Sequence, residues 1–110
     1  AQQAIADIVL APNPFTPNGD GINEEIGIDF ALYRVQTERP LTIGIYALSG
    51  RRVRRIESMA TGGEQRFIWD GKNAEGQVVA PGLYLCQIEV AADTESFSGQ
   101  TQVRVIAVAY

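Results

Sequence analysis

Along nearly the whole chain, apolar residues recur at every second position in short runs, and glycine or proline closes each run. Successive side chains of a strand point to opposite faces, so this period selects half-buried strands over helices. The clearest run is Ile26, Ile28, Phe30 and Leu32, with Asp29 on the other face. Pro40 opens the next, with Leu41, Ile43, Ile45 and Ala47 on one side, and Ser49-Gly50 ends it in a turn. Residues 51–57 return as a strand carrying Val53 and Ile56, whose odd separation predicts a bulge. Gly62-Gly63 leads into 65–69, with Phe67 and Trp69 inward, and Asp70-Gly71 and Gly76 mark another tight connection. Pro81-Gly82 launches 83–91, apolar on both faces and therefore expected as a central strand.

The ends read less cleanly. A first strand over 4–10 places Ala6, Ile8 and Leu10 on one face, with Ile5 and Val9 opposite. Pro12, Pro14 and Pro17 then forbid regular pairing, because proline has no amide to donate to a ladder. The last strand, over 100–110, is expected to turn Val103, Val105, Ala107 and Ala109 to the core. Gln102, Arg104, Ile106, Val108 and Tyr110 then lie opposite, more apolar than a solvated face needs. Ile28, Phe30, Ile43, Ile45, Phe67, Trp69, Tyr84 and Ile88 form the expected core. Seven strands in 110 residues, without an internal repeat or a helix of normal length, read as a Greek-key sandwich, one domain over 1–110.

Composition narrows the function. The formal charge of −4 argues against a phosphate-backbone binder, so no nucleic-acid partner is expected. The chain has no histidine, which removes the commonest general base and transition-metal ligand. Cys86 is the single cysteine, so no internal disulfide or thiolate zinc cluster can form. It reads as a small buried hydrophobe, with an intermolecular disulfide as the alternative. The serines at 49, 58, 96 and 98 have no base to activate them, and no carboxylate pair has a cleft around it, so an enzyme is not expected. No apolar run approaches the ~20 residues of a membrane span. The opening Ala-Gln-Gln resembles a mature secreted end, or else a trimmed chain.

Three motifs carry candidate sites. In "NGDGI" at 18–22, oxygen-bearing side chains alternate with glycine, as calcium loops require to wrap a hard cation. Asn18, Asp20, the Ile22 carbonyl and Glu24 are the candidate ligands. Thr16 and Gly27 stand where the pattern expects acids, so a metal-free Asn-Gly/Asp-Gly turn is the competing reading. "WDGKNAEG" at 69–76 reads as scaffold: Trp69 fills the core, Asp70 caps the turn, and Gly71 and Gly76 supply positive φ. A second cation site through Asp70 and Asn73 is its alternative. "RRVRR" at 51–55 gathers Arg51, Arg52, Arg54 and Arg55, either a docking patch for an acidic polymer or neighbour, or charges that guard an edge strand.

Three blocks, 11–25 ("APNPFTPNGDGINEE"), 43–56 ("IGIYALSGRRVRRI") and 67–90 ("FIWDGKNAEGQVVAPGLYLCQIEV"), together resemble one family. It is the Ig-like domain family of the flagellar hook-capping protein and of C-terminal domains of secreted bacterial surface proteins, including gliding-motility-associated and type IX secretion cargo. The resemblance implies an all-β, immunoglobulin-like sandwich of about seven antiparallel strands, a secreted or cell-surface location, and no catalytic activity. Two functions follow. One is a self-assembling subunit of a surface fibre or layer, pairing through the terminal strands with Ile106 and Val108 in the contact. The other is a C-terminal sorting, anchoring or carbohydrate-adhesion module of a larger secreted protein. The partners are accordingly copies of the chain, other surface proteins or a polysaccharide.

Overall fold

The runs of alternating residues become seven strands: β1 (Ile5–Ala11), β2 (Ile26–Leu32), β3 (Arg39–Ala47), β4 (Arg52–Ala60), β5 (Gly63–Trp69), β6 (Gly82–Val90) and β7 (Gln100–Val108). The computed structural model describes residues 5–17, 19, 24–33, 38–90 and 100–109. All strand pairs are antiparallel, in a three-stranded sheet of order β1-β2-β5 and a four-stranded sheet of order β4-β3-β6-β7. The inner faces of the two sheets meet in a single core, the immunoglobulin-like sandwich that the alternation and the resemblance implied. β6 lies between β3 and β7, the central position expected for it, with Tyr84, Cys86, Ile88 and Val90 turned into the core and Leu83 and Glu89 exposed on the other face.

Trp69 sits at the centre of one end of this core. Its side chain is buried, with ring centroids 5.4 Å from Phe15 and 5.9 Å from Tyr84, both at steep interplanar angles. Edge-on contacts of this kind suit the aromatic quadrupole and add to the area buried. The indole N–H donates to the Lys72 carbonyl at 2.9 Å, so the one polar atom of the ring is satisfied. Phe15 reaches this place because the chain, after β1, crosses to the outer edge of β7. There Phe15 N–H donates to the Ala107 carbonyl at 3.1 Å and Ala109 N–H donates to the Phe15 carbonyl at 3.0 Å, a short parallel bridge. The neighbouring Pro12 and Pro14 cannot donate, and the Asn13 side chain acts in their stead. Its amide donates to the Val105 carbonyl at 3.0 Å, and its oxygen accepts from Ala107 N–H at 2.9 Å.

Most inward faces agree with the alternation: Ile28, Phe30, Ile43, Ile45, Trp69, Tyr84 and Ile88 are buried, and Phe67 packs half-buried against them. The expected bulge is present. Ile45 pairs with Arg54 and Tyr46 with Arg52, leaving Val53 as the extra residue, turned into the core. Two expectations fail. In β1 the register slips between Ala6 and Val9, where Asp7 takes a left-handed conformation at φ 56°. The slip changes the phase, so Ile5 is buried on the same side as Ile8 and Leu10, and Val9 is exposed. In β7 the faces are reversed. Ile106 and Val108 are buried, whereas Val103 and Val105 are about half exposed at 47% and 50%. Pairing with β6 decides this: Ile106 lies opposite Tyr84 and Val108 opposite Gly82, so the even-numbered side chains share the inward face of Tyr84 and Cys86. Ile106 and Val108 are therefore core residues, and neither is available to an interface.

Truncating the central ring should be costly. Trp69→Ala is expected to destabilise the fold by about 3–5 kcal/mol in chemical denaturation, as large aromatic truncations in cores do. A loss below about 1 kcal/mol would contradict the packing described for Trp69.

Candidate interaction site

Two glycine-bearing loops, separate in the sequence, come together at the Trp69 end of the sandwich. Asp70-Gly71 leaves β5 and turns at once. The Asp70 Oδ1 oxygen accepts from Lys72 N–H at 3.1 Å, the local bond by which aspartate closes such turns. Asn73 does the same for the next four residues, with Oδ1 accepting from Glu75 N–H and Gln77 N–H, each at 3.0 Å. Both oxygens proposed for a second cation are thus engaged with the turn's own backbone. Gly71 is required twice over. Its φ is +77°, and a Cβ there would stand 2.7 Å and 2.8 Å from the Pro17 ring. Pro17 is buried in this contact, against the Asp70 turn. A groove of about 360 Å³ runs between them, lined by Pro17, Gly19, Glu24, Glu25, Asp70, Lys72 and Val78.

Of the candidate calcium ligands, Asn18, Asp20 and Ile22 lie outside the described residues. Glu24 is described, and its carboxylate accepts from Gly19 N–H at 2.9 Å. Among the described residues, no three acidic or cysteine side chains gather as metal ligands.

The arginine run divides between the Asp70 turn and the outer face of β4. Arg54 points from β4 towards the Asp70 turn, pairing with the Asp70 carboxylate at 3.4 Å and donating to the Lys72 carbonyl at 3.2 Å. That carbonyl also accepts from the Trp69 indole, so Arg54 braces the aromatic end of the core. The backbone repeats the link, with Ala74 N–H donating to the carbonyl of the bulged Val53. Nothing in the local sequence announces this pair, since 16 positions separate its members. Arg55 pairs with Glu57 at 2.7 Å on the outer face, and Arg51 and Arg52 are exposed beside it. Arg52, Arg54, Arg55, Lys72, Asp70 and Asn73 border a second groove of about 570 Å³.

On the opposite sheet a third groove, of about 470 Å³, lies over β1, β2 and β5. Tyr33 O–H donates to Asp7 at 3.0 Å there, and this bond, followed by the charge of Asp7, raises the phenol above its ordinary pKa. Arg66 reaches Asp29 Oδ1 at 3.4 Å, an oxygen that is otherwise buried without a hydrogen bond. Cys86 is fully buried on β6, and desolvation pushes its thiol up to about 12, so it behaves as the apolar residue expected.

Seven antiparallel strands in two sheets define an immunoglobulin-like module. The chain belongs to the CHU_C type IX secretion signal domain family, whose model matches residues 9–103. Such a domain marks proteins delivered to the cell surface or the extracellular space. No curated protein matches the chain. Among solved structures, it is similar to part of dimeric latent PorU from Porphyromonas gingivalis, with a TM-score of 0.73 and 19% identity over 98% of this chain. PorZ of the same organism, an essential surface component of the type IX secretion system, aligns over 94% with a TM-score of 0.59 and 22% identity. FlgD from P. aeruginosa aligns over 96% with a TM-score of 0.59 and 15% identity. The chain spans about 10% of PorU, 12% of PorZ and 77% of that FlgD chain. At these identities the likeness is one of fold.

The two loop glycines should respond differently to a methyl group. Gly71→Ala is expected to cost about 2–3 kcal/mol, combining positive φ with the clash at Pro17. Gly76→Ala, at φ +82° with open space around it, is expected to cost only about 1 kcal/mol. Equal losses in denaturant titrations would contradict the close approach of Pro17.

Proposed function

We propose that this chain is a non-catalytic sorting and anchoring module of a larger secreted protein, read by protein components of the type IX secretion machinery. The observation that carries this reading is the signal-domain family match over residues 9–103. The fold likeness to parts of PorU and PorZ, which are much longer chains, supports a module over a whole functional unit. A non-catalytic role is supported by the chemistry available: no histidine, and a thiol held protonated in the core. The fibre-subunit reading loses its motive. Ile106 and Val108 are buried, and Asn13 and Phe15 already occupy the outer edge of β7 at 105–109.

Fusion to a passive reporter tests the proposal. In a bacterium with type IX secretion, a reporter carrying residues 1–110 at its C-terminus should reach the surface or the medium. The reporter without them, or carrying Trp69→Ala, should be retained in the cell envelope. Equal surface delivery with and without the domain would sink the sorting role.

Calcium in the 18–24 loop is a separate proposal that rests on the sequence pattern. An ion bound only by the native state raises the melting temperature, so the intact chain should melt several degrees higher in millimolar calcium than in EDTA. Asp20→Ala should abolish the difference, and superimposable curves for the intact chain would leave the loop a metal-free turn.

A further inference from the structure

A sandwich of two open sheets has four edge strands, here β1, β4, β5 and β7. An unpaired edge invites another strand, and proteins usually blunt it with bulges, charge, proline or a covering segment. Three of these edges are blunted. β1 bulges at the left-handed Asp7 and runs into Pro12. β4 bulges at Val53, whose carbonyl is taken by Ala74 N–H. β7 is covered by Asn13 and Phe15, and Arg104 folds back to donate to the Val103 carbonyl at 2.9 Å. Among the described residues β5 shows no bulge and no covering segment; the Gln65 side chain donates to the Thr61 carbonyl at 3.1 Å and to the Gly63 carbonyl at 3.5 Å, which touches only its first residue. It pairs with β2 in unbroken register from Gly63–Leu32 to Trp69–Ile26, and it contains no proline. Its two charges, Glu64 and Arg66, lie two residues apart on the outer face, both exposed, and are of opposite sign.

Charges of one sign would repel a second copy of the strand, whereas this pair is self-complementary. We propose that β5 is a self-docking edge, at which two copies of the chain pair β5 to β5, antiparallel about a two-fold axis. The register that places Gln65 opposite the partner's Gln65 sets Glu64 against the partner's Arg66, and the symmetry repeats the ion pair. A continuous six-stranded sheet, β1-β2-β5 followed by its copy, results. The arrangement closes on itself and builds no fibre. It is independent of the sorting role, since a signal module can be read as a monomer or as a pair.

Sedimentation of the intact chain tests the edge directly. The wild type should show a reversible monomer–dimer equilibrium between ~10 μM and ~1 mM, the range of weak strand-edge association. Glu64→Arg and Arg66→Glu each turn both cross-strand pairs into like-charge contacts, and each should weaken dimerisation roughly tenfold or more. A one-to-one mixture of the two variants should restore it, because the heterodimer again sets arginine against glutamate at both cross-strand contacts. Far-UV circular dichroism and melting curves of each variant establish that both fold. A wild type that remains monomeric at ~1 mM would overturn the proposal. So would single variants that associate as well as the wild type, or a mixture that fails to recover although both variants are folded.

Discussion

The Lys72 carbonyl receives two donors, the Trp69 indole and the Arg54 guanidinium, and much of the architecture converges on it. Trp69 is the last residue of β5 and Arg54 lies in β4, so the two bonds tie together strands of different sheets. The ring they position is flanked by Phe15, from the segment that leaves β1, and by Tyr84 of β6. Tyr84 in turn donates to the Ala80 carbonyl at 2.6 Å, which fixes the entry to β6. One buried indole therefore sets the spacing of the sheets at this end and the path of three connections. A smooth aliphatic side chain could fill part of the volume, but it could not orient the turn that follows.

Legibility in the sequence followed the range of the interactions. β2 was plain because Ile26, Ile28, Phe30 and Leu32 give one wholly apolar face, and all four are buried. The roles of Asp70, Gly71 and Gly76 were plain because each bonds, or bends, within two residues of itself, whereas Asn73, read only as a ligand of an alternative cation site, closes the turn with its own side chain. β7 was misleading. Its odd positions are apolar from 103 to 109, while its even positions mix Gln102 and Arg104 with Ile106 and Val108. The face that turns inward is set by the partner strand, through Tyr84 opposite Ile106, and no local pattern records that. The phase change in β1 was equally hidden, since it depends on Asp7 adopting a conformation that only its pairing with β2 makes evident. Arg54 belongs to the same class. In the sequence it is one of four similar arginines, and only the fold singles it out by bringing Asp70 to it.

These distinctions bear on how such a module is read by others. A signal domain must present a constant surface while the proteins that carry it vary, which favours a rigid scaffold with its polar groups displayed at the loops and edges. The core here carries no buried charged or polar side chain among the described residues, so its packing can be specified by shape alone. The groups left exposed lie in the grooves around Asp70 and Arg52, on the outer valines of β7 and along β5.

The parallel bridge at Phe15 has a mechanical consequence. Phe15 and Val108 run side by side in the same direction, joined by the bonds of Phe15 to Ala107 and Ala109 on either side of Val108. A pull exerted from the β1 side of Phe15 and from the far end of β7 draws these neighbours past one another. It loads both bonds, together with the two from Asn13, in shear, so that they must fail together instead of opening one by one. An antiparallel hairpin pulled from its open end would unzip under far less force. The few residues that cross between the sheets therefore act as a mechanical clamp, whose strength depends on the direction of load and not on the overall stability of the fold.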